Sequence, residues 1–315
     1  VSEDAYALNP DMLVGGQAVL DGVMMRSARG YAVAVRKPDG TVAVDRAAVP
    51  SPARKFPLLK LPILRGSAVL LQSLFLGFRA LSFAAHHSVA EEDRPAGSSD
   101  RATSAAIAGA MAVAVLLGIG LFLFLPLLAT NAIKARLGGG MGTFAFNAVD
   151  GAIRVLLFFG YLLAISRMRD IQRVFEYHGA EHKVVYTFEA GETLTVENAR
   201  AKSRLHPRCG TSFLLFVLAL SVAIFAFVPS SAPLAVKLAS RLVLIPVIAG
   251  LAYETIRFSS RHVDNPALRL LIAPGLLLQK ITTREPNDAQ IEIALTALRE
   301  ALVFDAAEPT RAAVL

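Results

Sequence analysis

The residues able to do chemistry gather in one part of the chain. His178, Glu181 and His182 lie in Tyr177-His178-Gly179-Ala180-Glu181-His182-Lys183, and His206 and Cys209 in His206-Pro207-Arg208-Cys209-Gly210. Imidazoles at i and i+4 on a helix reach one ion, and a glutamate between them can act on water held at that ion. His and Cys at H-x-x-C spacing, in a turn shaped by Pro and Gly, offer two further nitrogen or sulfur ligands. These two motifs bring together three of the chain's six histidines and its only cysteine. His178, His182, His206 and Cys209 make a closed four-ligand set suited to zinc. Three of them with an open position make a catalytic set, with Glu181 as general base and Glu189 as a spare carboxylate ligand.

The first spacing is the one used by inverzincin peptidases, but five residues alone carry little specificity. Each group also has a plainer reading. A histidine beside a membrane often bonds only backbone or headgroups, and a lone cysteine at the end of an apolar helix is commonly a small buried hydrophobe. His86-His87 reads as an interfacial helix end, and Glu189, Glu192 and Glu197 as a solvated face. No Walker loop, dinucleotide fingerprint or serine elbow occurs.

The elements that must hold these groups are apolar blocks. The 315 residues are 54% hydrophobic, more than the roughly 45–50% of soluble domains, and the charges lie between the blocks. Residues 102–129, 144–165, 211–228 and 234–253 read as four membrane spans, with Asp150 and Arg154 paired at i, i+4 inside the second. Lys237 and Arg241 are placed to snorkel at one end of the fourth. Residues 57–87 carry Arg65, Gln72, Arg79 and His86 at seven-residue intervals, which suits an in-plane or re-entrant helix better than a span. Residues 265–281, interrupted by Pro274-Gly275, read as an interfacial hairpin, and 288–302 as a cytoplasmic amphipathic helix started by Pro286-Asn287. Near the N-terminus, Lys37-Pro38-Asp39-Gly40 joins two Val- and Ala-rich strands.

The fold class expected is therefore mainly α: a polytopic helical membrane protein of about four spans plus two interfacial or re-entrant helices, with a small β-rich cytoplasmic portion. Its parts are residues 1–56 (β-rich), 57–87 (in-plane or re-entrant helix), 102–166 (two spans), 167–210 (loop with the His/Cys motifs), 211–258 (two spans) and 259–315 (hairpin and amphipathic helix). The net charge is +7, and Lys and Arg concentrate in the N-terminal region, the central loop and the tail. The positive-inside rule puts these, and both termini, in the cytoplasm. Residues 1–10 have no apolar core and are no signal peptide, and a start at Val points to sequence preceding it. Basic residues flanking apolar blocks meet membrane lipids, so no nucleic-acid partner is expected.

The stretches Gly15-Gly16-Gln17-Ala18-Val19, Gly22-Val23-Met24-Met25-Arg26 and Ala32-Val33-Ala34-Val35-Arg36 add to the two histidine motifs and Thr283-Arg284-Glu285-Pro286. Together they resemble the YqhQ-like family of bacterial membrane proteins, Asp21 standing where Glu is expected. The resemblance implies the bacterial inner membrane and a family of unknown function, sometimes labelled a metal-dependent enzyme. Two activities are expected to compete. One is a zinc-dependent hydrolase working at the cytoplasmic leaflet. The other is a non-enzymatic factor that assembles or inserts other membrane proteins, with the metal as a staple or absent. Transport, suggested by Asp150 and Arg154, ranks third.

Overall fold

The computed structural model describes residues 14–49, 56–88, 100–260 and 266–306; residues 1–10 and 265, read above, lie outside that set. Four strands, β1 (Gly15–Val19), β2 (Gly22–Arg26), β3 (Gly30–Arg36) and β4 (Val42–Ala48), form an antiparallel sheet in sequential order. The β3–β4 reversal follows the chemistry of its turn. Gly40 takes φ 83°, and the Asp39 carboxylate accepts from Thr41 N and Oγ1 at 2.8 and 2.6 Å. Asp21 turns β1 into β2 at φ 51°, a left-handed conformation that a short polar side chain tolerates.

The helices are α1 (Leu64–His87), α2 (Asp100–Ile119), α3 (Leu125–Arg136), α4 (Thr143–Ile165) and α5 (Arg169–Glu189). After them come α6 (Val196–Arg200), α7 (Gly210–Phe225), α8 (Leu234–Ser260), α9 (Pro266–Thr282) and α10 (Asp288–Ala306). A π turn at Gly120–Phe124 carries α2 into α3 without a break.

The sheet is the middle of three layers. Val23, Met25, Ala32 and Ala34 face α5 and α10, while Met24, Tyr31, Val33 and Val35 face Leu76, Ala80 and Ala84 of α1. Burial on both faces explains why β2 and β3 read as nearly continuous apolar runs. Helix α10 begins in a reciprocal cap, with Asn287 Oδ1 accepting from Gln290 N and Gln290 Oε1 accepting from Asn287 N, each at 2.9 Å. Longer than the expected 288–302, it buries Ile291, Leu295, Leu298 and Leu302 against the sheet and α5.

Among the described residues, four helices are long and apolar enough to cross a membrane: Leu64–His87, Ala102–Arg136, Thr143–Ile165 and Leu234–Ser259. This set differs from the expected one at two places. The segment read as a span over 211–228 is a helix of only 16 residues. The segment 57–87 contains one unbroken helix of 24 residues, with no re-entrant break. Its polar stripe is used within the chain: Arg65 donates to Glu254, Gln72 accepts from Arg26 at 2.9 Å, and Arg79 reaches Asp45 at 3.2 Å.

One further expectation is corrected. Residues 266–282 form one helix through Pro274, not a hairpin, and Gly275 there lets Ser212 of α7 approach so closely that a Cβ would sit 2.3 Å from its Oγ. The His motif has a helix of its own. Helix α4 ends at Ile165, and α5 begins anew at Arg169, so the apolar face of α5 can turn onto the sheet and α10.

Candidate metal centre

Helix α5 supplies the first motif. His178 and His182 lie one turn apart, with ring centroids 4.4 Å from each other. Each ring is held by a backbone carbonyl at Nδ1: Thr282 O for His178 at 2.8 Å and Arg204 O for His182 at 2.5 Å. A carbonyl can only accept, so both imidazoles carry their proton on Nδ1 and present the Nε2 lone pair. This is the outer-shell arrangement that metal-binding histidines use. His178 Nε2 lies 3.2 Å from Cys209 Sγ, and His182 Nε2 is buried without a hydrogen-bond partner.

Cys209 arrives on a different element. The turn from His206 to Cys209 closes with Cys209 N donating to His206 O, and Gln279 of α9 clamps it by accepting from His206 N at 2.7 Å and donating to His206 O at 2.8 Å. Cys209 then caps α7, its sulfur taking the Thr211 N–H at 3.4 Å. The ligand atoms of His178, His182 and Cys209 all lie within 4.8 Å of one another. Metal–ligand lengths of about 2.0–2.3 Å set the edges of a tetrahedral site at roughly 3.3–3.8 Å. The residues fit a transition metal, and the orphaned Nε2 of His182 is the observation that says so.

Glu181 lies beside this trio. Its Oε2 is 3.6 Å from His182 Nε2 and 3.9 Å from His178 Nε2. Burial pushes its pKa up, while the two neighbouring histidines, His178 and His206, and the Gly16 N–H bonded to its carboxylate pull the other way. Burial also holds His182 below the ordinary imidazole value, which keeps it neutral and able to ligate.

His206 is not drawn into the trio. Its Nδ1 accepts from Arg208 N at 3.2 Å, and its Nε2 faces Glu189 Oε2 at 3.3 Å, with the Arg208 guanidinium on the other Glu189 oxygen. Arg208 and His206, with burial opposing them, hold the Glu189 carboxyl below the usual range. Its ring stands 5.7 Å from that of His182. His206 and Glu189 thus form a neighbouring pair rather than two more vertices.

Several supporting residues carried no chemical signal of their own. Gly16, in the β1 edge strand, admits Glu181: a Cβ there would lie 2.8 Å from Glu181 Cγ. Gly179 does the same for the strap at 283–286, where a Cβ would meet Arg284 O at 2.0 Å. That strap donates Arg284 N to Phe175 O, and Arg204 bonds both Thr283 O and Thr283 Oγ1. Lys183 is buried against Arg200 O and Lys202 O, tying the loop that carries Arg204 to α5. Gly16 and the strap had entered the sequence reading only as marks of resemblance; Gln279 left no signal at all.

The same constellation coincides with a family match. The model described as "Protein of unknown function (DUF1385)" covers residues 61–303. The chain belongs to this family. A relative in Bacillus subtilis (strain 168), described as "Uncharacterized protein YqhQ", is 33% identical over 301 residues, covering 93% of each chain. No solved structure matches. The DUF1385 region contains the whole trio, whereas Gly16 lies outside it yet touches Glu181.

Proposed function

We propose that the chain is a bacterial cytoplasmic-membrane protein that binds one transition metal, zinc by ligand type, and works as a metal-dependent hydrolase. The observation that carries this reading is the count of converging groups: two imidazole lone pairs and one sulfur, with a carboxylate alongside. Three protein ligands leave a position open, and closed structural zinc sites use four. A metal bound there would polarise a carbonyl or phosphoryl oxygen and lower the pKa of water. The chain's own contributions are separate. Thr282 O and Arg204 O fix the imidazoles. Gly16 N–H holds the Glu181 carboxylate, so that it can take a proton from water and pass it to a leaving group.

The distribution of Lys and Arg supports a cytoplasmic site and cytoplasmic termini, an arrangement in which the short α7 crosses together with α2–α3, α4 and α8. Helix α1 lies along the inner leaflet in this arrangement. Its inner face is covered by the sheet, whose open edges and charged rim do not suit hydrocarbon. Its outer face exposes Leu71, Leu74, Phe75, Phe78 and Leu81. The chain has no tryptophan, so Leu71→Trp, Phe75→Trp and Leu81→Trp are each sole reporters. Quenching by lipids brominated at different depths should place all three equally shallow. A steady change in depth over the roughly 15 Å they span along the helix would make α1 a crossing helix.

A second reading is favoured by one observation, the burial of Cys209 and His182 at 7% and 2% exposure. On that reading the metal staples α5 to α7 in a membrane-protein assembly factor. Against it, Arg65, Gln72 and Arg79 of α1 already have partners and do not line a groove for client helices. Glu181→Gln separates the two. The hydrolase reading expects the variant to keep its metal and fold while losing whatever cellular phenotype His178→Ala loses. A fully functional Glu181→Gln beside an inactive His178→Ala removes the base.

A further inference from the structure

A second buried polar group sits at the other end of α7. Ser221 is twelve residues beyond Cys209, about 18 Å along a helix. Around it Asp150 Oδ2 receives both Arg154 at 2.9 Å and Arg241 at 2.7 Å, from α4 and α8. Arg154 also donates to Ser221 Oγ at 3.2 Å, and both guanidiniums lie over the Phe225 ring. Lys237 lies 4.3 Å over the Phe146 ring and donates to Asn131 at 3.3 Å, and Lys134 donates to Ser230 O at 2.9 Å. Asp150, Arg154, Lys237 and Arg241 are each at most 5% exposed.

Two arginines therefore meet one carboxylate, with two lysines nearby over the Phe146 ring. Among the described residues, Asp150 is the only carboxylate paired with these cations. Both arginines share one of its oxygens, the other oxygen is itself buried without a partner, and so are Nε of Arg154 and of Arg241, so the cluster keeps an excess of positive charge. The crevice beside them, walled by Phe146, Phe225 and Val228, is too narrow for water as the side chains stand. Uncompensated charge in such surroundings is costly. Guanidinium and ammonium groups converging on one point, with aromatic walls, match a phosphate oxyanion.

We propose that this end of the bundle binds a phosphate oxyanion, supplied by the phosphodiester of an anionic phospholipid in the leaflet that meets it. The two lysines make the first contact, because their flexible stems can turn outward, and the arginines stand behind them. The site is independent of the metal centre.

The test uses the full chain in neutral detergent, following its unfolding temperature as phosphatidylglycerol, diacylglycerol or inorganic phosphate is added. Saturable stabilisation by phosphatidylglycerol alone is the expected result. Equal stabilisation by inorganic phosphate keeps the oxyanion site but moves its source to free phosphate. Lys134→Gln and Lys237→Gln leave both Asp150 ion pairs in place, and each should weaken the phosphatidylglycerol effect by about tenfold in midpoint concentration. Diacylglycerol matching phosphatidylglycerol, no stabilisation by either phosphate source, or unchanged midpoints in both variants would overturn the proposal.

Discussion

At one end of α7, Cys209, His178 and His182 direct a sulfur and two imidazole lone pairs toward a common point; at the other, Arg154 and Arg241 bring N–H donors to the one oxygen of Asp150 that they share. Both groups are buried, and both leave polar atoms unpartnered. The difference lies in what each presents. Imidazoles held at Nδ1 by carbonyls present acceptors suited to a cation; clustered guanidiniums present donors suited to an anion. Burial of polar groups by itself thus says little about function, and the sign of the charge they suit says much more.

The comparison can be broken first at its cationic end. Asp150→Leu removes the one carboxylate while leaving Arg154 and Arg241 buried, and should cost roughly 3–5 kcal/mol of stability. Denaturant unfolding in detergent measures this, with metal content unchanged as the accompanying result. A loss below about 1 kcal/mol would mean that the arginines find other compensation. A smaller effect is expected at the metal end from Gly16→Val, whose Cβ would press on Glu181 Cγ and Met24 O. Overpacking there should cost about 1–3 kcal/mol. It should also abolish any Glu181-dependent phenotype while the metal stays bound. Metal loss in this variant would show that Glu181 is a ligand rather than a neighbour.

Much of this was legible in the residues. The strands and their Pro-Asp-Gly turn, the start of α10, the i, i+4 pair at Asp150 and Arg154, and the i, i+4 placement of His178 and His182 all follow from local spacing. What the sequence hid was set by distant partners. Pro274 suggested a break, but α9 runs straight through it, packed on Ser212 by way of Gly275. His206 has the right type and spacing for a ligand, yet Glu189 and Arg208 occupy its ring nitrogens. The stripe of Arg65, Gln72 and Arg79 suggested a polar surface in search of partners, and the sheet and α8 supply them. Gly16 gave only a mark of resemblance, because its use depends on a side chain 165 positions away.

Elemental analysis of protein purified without chelator tests the central claim most directly, repeated on His178→Ala, Cys209→Ala and His206→Ala. The expected outcome is about one zinc or similar ion per chain, lost in the first two variants and kept in the third. A protein with no bound metal, or one whose metal survives Cys209→Ala, would contradict it.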